Sequence, residues 1–305
     1  MRPKTTLLCI AAASVMLGTP QAVSAQESIL LRYRPEPRTR IHTLWWTETT
    51  NTLREGAPGV PALDSITVES ATLGSTTWNV RDAQFSRFVV DVTHDSTRAR
   101  VRALGGPWRA IPEMRDRTVS ARVTVDDRLR VLEMERTRGD TLTPGERHGL
   151  RAFLSRLEFA LPEAPVTVGD TLMSDVVLRV SRPLGFGSET VPVADNFSEQ
   201  PEIVARTALT LDSLSARDRD TLAFLTVRGL FVGTELDRST EEIYAMVSVT
   251  GAFGGSLIWS TGWNAFVSGA IRTVTTMTLE WDPIEAGDVA MTLLMDESTR
   301  FQVRP

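Results

Sequence analysis

The chain has almost no lysine and almost no cysteine. Lys4 is its one lysine and Cys9 its one cysteine among 305 residues. A chain without Lys4 lacks the amine for Schiff-base catalysis and the phosphate-binding lysine of P-loop enzymes. A single cysteine cannot form an internal disulfide, and a mature chain without Cys9 has no thiolate nucleophile or cysteine metal ligand.

Basic charge is outnumbered by acidic charge. The chain has 33 lysines and arginines against 38 acidic residues, a formal net charge of -5. Nucleic-acid binding depends on a concentrated basic surface that neutralises phosphates, so this balance argues against it. Arg98, Arg100 and Arg102 alternate with small apolar residues, which predicts a solvated strand face and not such a surface.

The first 25 residues have the pattern of a cleaved secretory signal. A basic start precedes an apolar stretch at 7–17, and Ala22–Ala25 has the small-x-small pattern that signal peptidase recognises. The stretch is shorter than the ~20 residues that span a bilayer. Cys9 does not end this stretch, which argues against a lipoprotein. We expect a Sec-type signal at 1–25, cleaved near Ala25, and a periplasmic or secreted mature chain at 26–305 without a transmembrane segment.

Apolar and polar residues alternate through most of the mature chain, which is the period of strands with one buried face. Residues 88–92 and 99–103 predict an antiparallel hairpin around a turn at 94–96. Further hairpins are predicted around the polar residues 126–128 and 215–220. The alternation therefore predicts a mainly β, antiparallel fold.

One helix is predicted between the two β-rich halves. Thr143 suits the N-cap, Pro144 suits the first helical position, and Glu146 completes a capping box. Apolar residues spaced by three and four follow at 150–157. The stripe is interpreted as packing on a sheet, with a membrane-surface or partner-binding role as the alternative. A junction between two lobes is placed at 139–165.

No residue pattern indicates a catalytic or metal site. The segment Gly254–Ile258 lacks the last glycine of a G-x-S-x-G elbow. Asp218 and Asp220 lack the glycine and distal glutamate of a calcium loop, so they are interpreted as surface acids. The mature chain has three histidines: His42, His94 and His148. Their spacing matches no metal-ligating pair, and we expect no enzyme activity, no cofactor, no metal ligand and no catalytic residue.

Large aromatic rings near glycines are the best candidate binding features. Trp45 and Trp46 are adjacent, so a strand points them to opposite faces. The segment 251–263 combines glycines with large rings, and indicates either a sheet corner with core tryptophans or part of an apolar ligand cavity. The candidate ligand-binding residues are Trp45, Trp46, Phe253, Trp259 and Trp263.

Three short motifs accompany the predicted signal peptide. They are Tyr33-x-Pro35, L-P-x-x-P-V-x-V-G-D-T from Leu161 to Thr171, and W-S-T-G-W from Trp259 to Trp263. In this order they resemble a family of uncharacterised secreted bacterial proteins, itself likened to the LolA/LolB-like lipoprotein-carrier superfamily. The resemblance covers nearly all of the mature chain and implies an open half-barrel with helical material against its concave face. In the better-known carriers that concavity holds acyl chains, and the resemblance supplies no catalytic residue.

These observations predict a mainly β fold, either an antiparallel half-barrel or two fused β lobes, with one central amphipathic helix. A β-sandwich is the alternative, because it uses the same alternating strands. The predicted function is non-enzymatic binding of an apolar ligand, a lipid or acyl chain, in a sheet concavity. The alternative is an envelope protein-protein interaction or assembly module that contacts its partner through a sheet edge or an exposed tryptophan.

Overall fold

A computed structural model describes residues 28–56, 63–111, 119–136, 161–179, 202–217, 220–240, 243–283 and 289–304. The predicted signal peptide, the predicted central helix and most of the predicted junction lie outside these residues. Within them are fourteen strands and no helix. In chain order they are β1 (Ser28–Ile29), β2 (Arg40–Gly56), β3 (Leu63–Gln84), β4 (Arg87–Ala103), β5 (Arg109–Ile111), β6 (Val119–Asp126), β7 (Val131–Arg136), β8 (Val166–Thr167), β9 (Thr171–Arg179), β10 (Glu202–Arg217), β11 (Asp220–Thr240), β12 (Ile243–Ser260), β13 (Ala265–Pro283) and β14 (Val289–Arg304).

Most of the strands form one large antiparallel sheet, which confirms the prediction of a mainly β, antiparallel fold. Its order is β7-β6-β4-β3-β2-β14-β13-β12-β11-β10-β9, with β5 paired to β4 outside this path, and β1 and β8 form a separate two-stranded sheet. Strands from both sides of the predicted junction belong to the large sheet, joined where β2 pairs with β14. The described strands do not form the two large facing sheets that a β-sandwich requires.

One face of the large sheet, called the inner face below, carries the core. In β11, the buried residues Leu225, Val227 and Phe231 alternate with the exposed residues Arg228 and Leu230. The same period of two recurs in the neighbouring strands, and their buried residues join one hydrophobic cluster. The opposite side, called the outer face, carries the charged side chains of these strands together with exposed apolar residues such as Leu230 and Val232. The alternation read from the sequence therefore assigned the buried side of these strands correctly.

The predicted turn at 94–96 is wrong, because β4 continues through it. The pairing between β3 and β4 shifts by one residue at Asp95, which forms a β-bulge. Val92 faces inward before the bulge and Ala99 faces inward after it, so the buried positions change from even to odd numbers. A bulge adds one unpaired residue to a strand, and a short turn changes the alternation in the same way. The sequence pattern alone could not separate the two.

The other two predicted hairpins are confirmed. In the β6–β7 turn, the Asp126 carboxylate accepts hydrogen bonds from the backbone N–H groups of Arg128 and Arg130, each at 2.9 Å. Leu129 adopts a left-handed φ of 64° in this turn. In the second hairpin, pairing continues to Arg217 and Asp220, so β10 and β11 extend well into the predicted loop.

The two-stranded β1–β8 sheet and its flanking residues pack on the inner face beside the β6–β7 turn. Tyr33 contacts Phe88 edge to face, with ring centroids 5.5 Å apart, and its backbone N–H donates to the Asp127 carbonyl at 2.8 Å. Arg128 donates through Nε to the Leu161 carbonyl at 2.7 Å. Burial raises the pKa of Tyr33. The residues around both strands thus complete the core at this end of the sheet.

The V-G-D-T part of the Leu161–Thr171 motif connects β8 to the opposite part of the large sheet. Gly169 has a left-handed φ of 94°, and its N–H donates to the Leu211 carbonyl of β10 at 2.7 Å. Asp170 accepts hydrogen bonds from the hydroxyl and the backbone N–H of Thr167, which lower the pKa of its carboxyl. The motif therefore forms a turn that ties β8 to β10.

Candidate functional site

The adjacent tryptophans lie on opposite faces of β2, as the sequence predicts. Trp45 is 8% exposed on the inner face, whereas Trp46 is 46% exposed on the outer face. The Trp45 indole N–H donates to the Thr76 hydroxyl at 3.2 Å. The predicted set of ligand-binding residues is therefore divided between the two faces of the sheet.

The Trp45 ring covers a glycine on the neighbouring strand. Trp45 pairs directly with Gly74 of β3, and a Cβ atom added at Gly74 would overlap the indole ring. Phe301 of β14 has the same relation to Gly269 of β13. Each ring therefore lies against the sheet in the space that the glycine leaves empty.

Two more rings of the inner face cover glycines on neighbouring strands. Phe253 of β12 pairs with Gly229 of β11, and Phe231 of β11 pairs with Gly251 of β12. A Cβ atom on either glycine would overlap the paired ring. The two pairs are reciprocal, since each strand supplies one ring and one glycine. Together the four pairs make part of the inner face an aromatic surface whose rings protrude little above the strands.

Trp259 and Trp263 lie at the turn between β12 and β13. Trp259 is fully buried and contacts Phe266 edge to face at 5.0 Å. Its indole N–H meets no hydrogen-bond acceptor within the described residues. Trp263 is half-buried and packs against the same hydrophobic cluster. Four of the five predicted residues, all but Trp46, thus belong to the inner side of the sheet.

The W-S-T-G-W motif forms a cage around Asp220, which was predicted to be a surface acid. Its carboxylate accepts hydrogen bonds from the Ser260 hydroxyl at 2.6 Å, the Thr261 hydroxyl at 3.0 Å and the Gly262 N–H at 2.7 Å. Partial burial opposes ionisation, but the hydrogen bonds, led by that of Ser260, lower the pKa of Asp220. Asp220 thus lies near the surface, but the β12–β13 turn gives its carboxylate hydrogen-bond partners and partial burial that the sequence did not indicate.

Polar side chains interrupt the apolar inner face in the middle of β13, β14, β2 and β3. We call this group the polar island: Thr47, Thr49, Asn51, Ser70, Thr72, Thr273, Thr275, Glu297 and Thr299. Cross-strand pairing makes the group continuous. Thr47 and Thr299 lie 2.9 Å apart through their hydroxyl oxygens, and the Thr299 hydroxyl donates to Glu297 at 3.5 Å. The sequence pattern does not indicate this island, because threonine at strand positions also suits a solvated face.

An exposed apolar pair on the outer face lies between two arginines. Trp46 pairs directly with Leu73 of β3, which is 51% exposed. Arg300 of β14 follows on one side of this pair and Arg98 of β4 on the other. The Trp46 ring and the Leu73 side chain are therefore accessible to a partner.

The arginines of β4 lie on the outer face, as predicted. Arg98 and Arg100 are exposed, and Arg102 forms a salt bridge with Glu69. The guanidinium groups of Arg100 and Arg102 each lie 4.5 Å from the centroid of Trp108. Arg100 and Arg102 therefore both interact with the Trp108 ring of the same fold, and Arg102 is also paired with Glu69.

The histidines and carboxylates of the described chain form no recognisable catalytic or metal arrangement. His42 lies within 3.2 Å of the Thr77 hydroxyl through Nδ1, and His148 lies outside the described residues. No three histidine, cysteine or acidic side chains in the described strands and turns converge as metal ligands would. None of the described segments contains a helix long and apolar enough to cross a membrane.

Comparisons with known proteins identify no family for this chain. No family model and no curated protein matches it. The crystal structure of Pseudomonas aeruginosa OccK5 (OpdH) is 6% identical with a TM-score of 0.26, covering 88% of this chain and 99% of that chain. That of OccK7 (OpdD) from the same organism is 6% identical with a TM-score of 0.21, covering 87% and 99%. At these scores, neither likeness bears on fold or function.

Proposed function

We propose that the protein is a non-enzymatic periplasmic protein that binds an apolar ligand, a lipid or acyl chain, in the concavity of a half-barrel. The observation that carries this proposal is the set of four rings laid over glycines on the inner face. A ring seated in a glycine gap protrudes less than one packed on another side chain. The inner face is therefore apolar and its rings protrude little, which suits contact with a flexible chain.

The hydrogen bonds around β1 and β8 support a curled sheet. In a flat sheet, β6 and β10 would be about 38 Å apart, at ~4.8 Å per strand spacing. The path from Asp127 to Leu211 runs through Tyr33, the β1–β8 pair and Gly169, and with its two hydrogen-bonded links it spans roughly 38 Å when fully extended. It joins the two parts of the sheet. A flat sheet would require every residue of this path to be extended in one line, and the left-handed φ of Gly169 departs from that. Curvature of the sheet shortens the distance that the path has to span.

Exposure along the inner face supports an entrance at the end away from β1 and β8. Trp259 and Val90, near the end that carries β1 and β8, are fully buried. Ile66, an inner-face residue near the start of β3, is 56% exposed. A chain could therefore enter past Ile66 and lie along the inner strands. The predicted helix at 143–157 is proposed to cover part of this concavity.

The first experiment is a native mass spectrum of the mature protein, expressed with its signal segment in a Gram-negative host and purified without detergent. We expect an additional mass that is released on denaturation and identified as lipid. The variant Phe253→Ala should retain less of it. Trp46→Ala is the matched control, because its ring lies on the outer face and its loss should leave retention unchanged. A wild-type protein with no bound lipid, and no binding of added lipid, would contradict the proposal.

A second candidate function, an envelope interaction or assembly module, is favoured by one observation. The exposed pair of Trp46 and Leu73 lies between two arginines on the outer face. Apolar side chains with adjacent arginines are typical of protein-contact surfaces. If this function is correct, Trp46→Ala abolishes concentration-dependent association or co-purification of one specific partner. Association that is unchanged in Trp46→Ala, Leu73→Ser and the double variant would contradict it.

A further inference from the structure

The polar island is enclosed by apolar residues along the strands. On β2 it begins after Trp45 and ends before Leu53, and on β14 it lies between Phe301 and Met295. Toward β12 it meets Phe253, which pairs with Thr273. The inner face is therefore amphipathic, with hydroxyl groups in β13, β14, β2 and β3 and mainly apolar residues in β10, β11 and β12.

Part of the island is buried and part is accessible. Asn51 and Thr275 are buried, so their polar groups belong to the packing of the sheet. The half-buried members are Thr49, Thr72, Thr273, Glu297 and Thr299. Their hydroxyl and carboxylate groups can exchange hydrogen bonds with a bound head group, which valine, although it has nearly the shape of threonine, could not do.

The charge of the island distinguishes among head groups. Glu297 is its one ionisable side chain, and the inner-facing positions of β2, β3, β13 and β14 contain no arginine. An anionic phosphate or carboxylate placed here would meet a like charge and no cation. An uncharged head with several hydroxyl groups can donate to the carboxylate and exchange hydrogen bonds with the threonines.

The island also has the size of a head group. Its three inner positions on β2 cover about 13 Å along the strand, and its four strands cover about 14 Å across. This area exceeds that of a single hydroxyl or carbonyl group. It allows several hydrogen bonds to form at once, which gives orientation as well as affinity.

We propose that the ligand is an amphiphile with an uncharged, hydroxyl-rich head, as in a glycolipid. The head lies on the polar island, and its chains lie on the apolar inner surface of β10, β11 and β12. This inference rests on the proposed function, because it assigns the ligand class of the same concavity. It also specifies the chemistry of the head group, which the binding of an apolar chain alone does not determine.

The test compares three probes with the same chain: dodecyl maltoside, dodecyl phosphate and dodecyltrimethylammonium. Each is titrated below its micelle concentration into the full mature protein, and binding is followed by calorimetry and tryptophan fluorescence. We expect dodecyl maltoside to bind at least about tenfold more tightly than dodecyl phosphate, since the latter brings a like charge to Glu297. Glu297→Gln should reduce this ratio by strengthening binding of the phosphate. Thr49→Val should weaken the maltoside alone.

The outcomes separate this inference from the function on which it rests. If all three probes bind equally well, the head-group assignment is wrong and the binding of apolar chains stands. Tightest binding of the ammonium probe, lost in Glu297→Gln, would replace the hydroxyl-rich head by a cationic one. If no probe binds, and a longer-chain lipid also fails to bind, the proposed function itself is wrong. The wild-type comparison needs no variant, so it remains decisive if a substitution impairs folding.

Discussion

The ring of Phe253 lies over the backbone of Gly229, its direct partner on the neighbouring strand. The glycine leaves out a side chain, and the ring fills that space while remaining mostly buried. Glycine in a strand interior normally weakens the strand, because it gains no packing and loses chain entropy. Coverage by a cross-strand ring offsets that loss. The pair thus stabilises the sheet, and the ring protrudes little from its inner face.

We expect Gly229→Ala to destabilise the protein by about 1–3 kcal/mol, because the added methyl group would overlap the Phe253 ring. Chemical denaturation of the purified variant measures the change in free energy of unfolding. Combining it with Phe253→Leu should recover part of the loss, since the smaller side chain makes room for the methyl group.

Gly254→Ala is the matched control for this substitution. Gly254 lies on the outer face, and an added Cβ atom would meet only ordinary contacts, 3.6 Å from the Val227 carbonyl oxygen. We expect no loss of stability, because alanine is less costly than glycine within a strand. Equal losses at Gly229 and Gly254 would show that the ring-glycine contact does not determine the effect.

The two adjacent tryptophans should differ sharply when truncated. Trp45→Ala should lower the free energy of unfolding by about 3–5 kcal/mol, because it leaves a cavity over Gly74. Trp46→Ala should change it by less than about 1 kcal/mol, because nearly half of that side chain is already in water. Thermal unfolding followed by circular dichroism measures both. Similar losses for the two variants would contradict their placement on opposite faces.

The sequence could predict which residues of a strand share a face, but not which strands are neighbours. Alternation alone placed Trp45 and Trp46 on opposite sides, since a strand reverses its side chains at every residue. The pairing of Phe253 with Gly229 depends on the register of two strands, and no local pattern contains it. The bulge at Asp95 looked like a turn, because both interrupt the alternation with polar residues.

Gly169 provides a test of the turn that connects β8 to β9. Its φ of 94° is one that side chains other than glycine rarely adopt, although no atom lies near the position of an added Cβ. We expect Gly169→Ala to cost about 1–2 kcal/mol through backbone strain alone. Gly254→Ala, at a glycine without a positive φ and with only ordinary contacts, should cost less. Equal stability of wild type and Gly169→Ala in denaturant titrations would contradict this conformation.

Asp220 should make stability depend on acid pH. Its hydrogen bonds lower the pKa of the folded-state carboxyl against the opposing effect of burial. The ionised form therefore stabilises the folded protein above the unfolded-state pKa of about 3.9, and this contribution is lost as the pH falls toward the lower folded-state pKa. Asp220→Asn should reduce the free energy of unfolding at pH 7 by roughly 2 kcal/mol, through weaker bonds to Ser260, Thr261 and Gly262.

The difference between wild type and Asp220→Asn should shrink as the pH falls below about 4, because protonation then removes the charge from the wild-type carboxyl as well. Denaturant titrations at a series of pH values measure this convergence. Asp175→Asn removes an exposed carboxylate of β9 and controls for the change in net charge. A difference that stays constant down to the acid limit would show that the cage stabilises the turn by geometry, without preferring the ionised carboxylate.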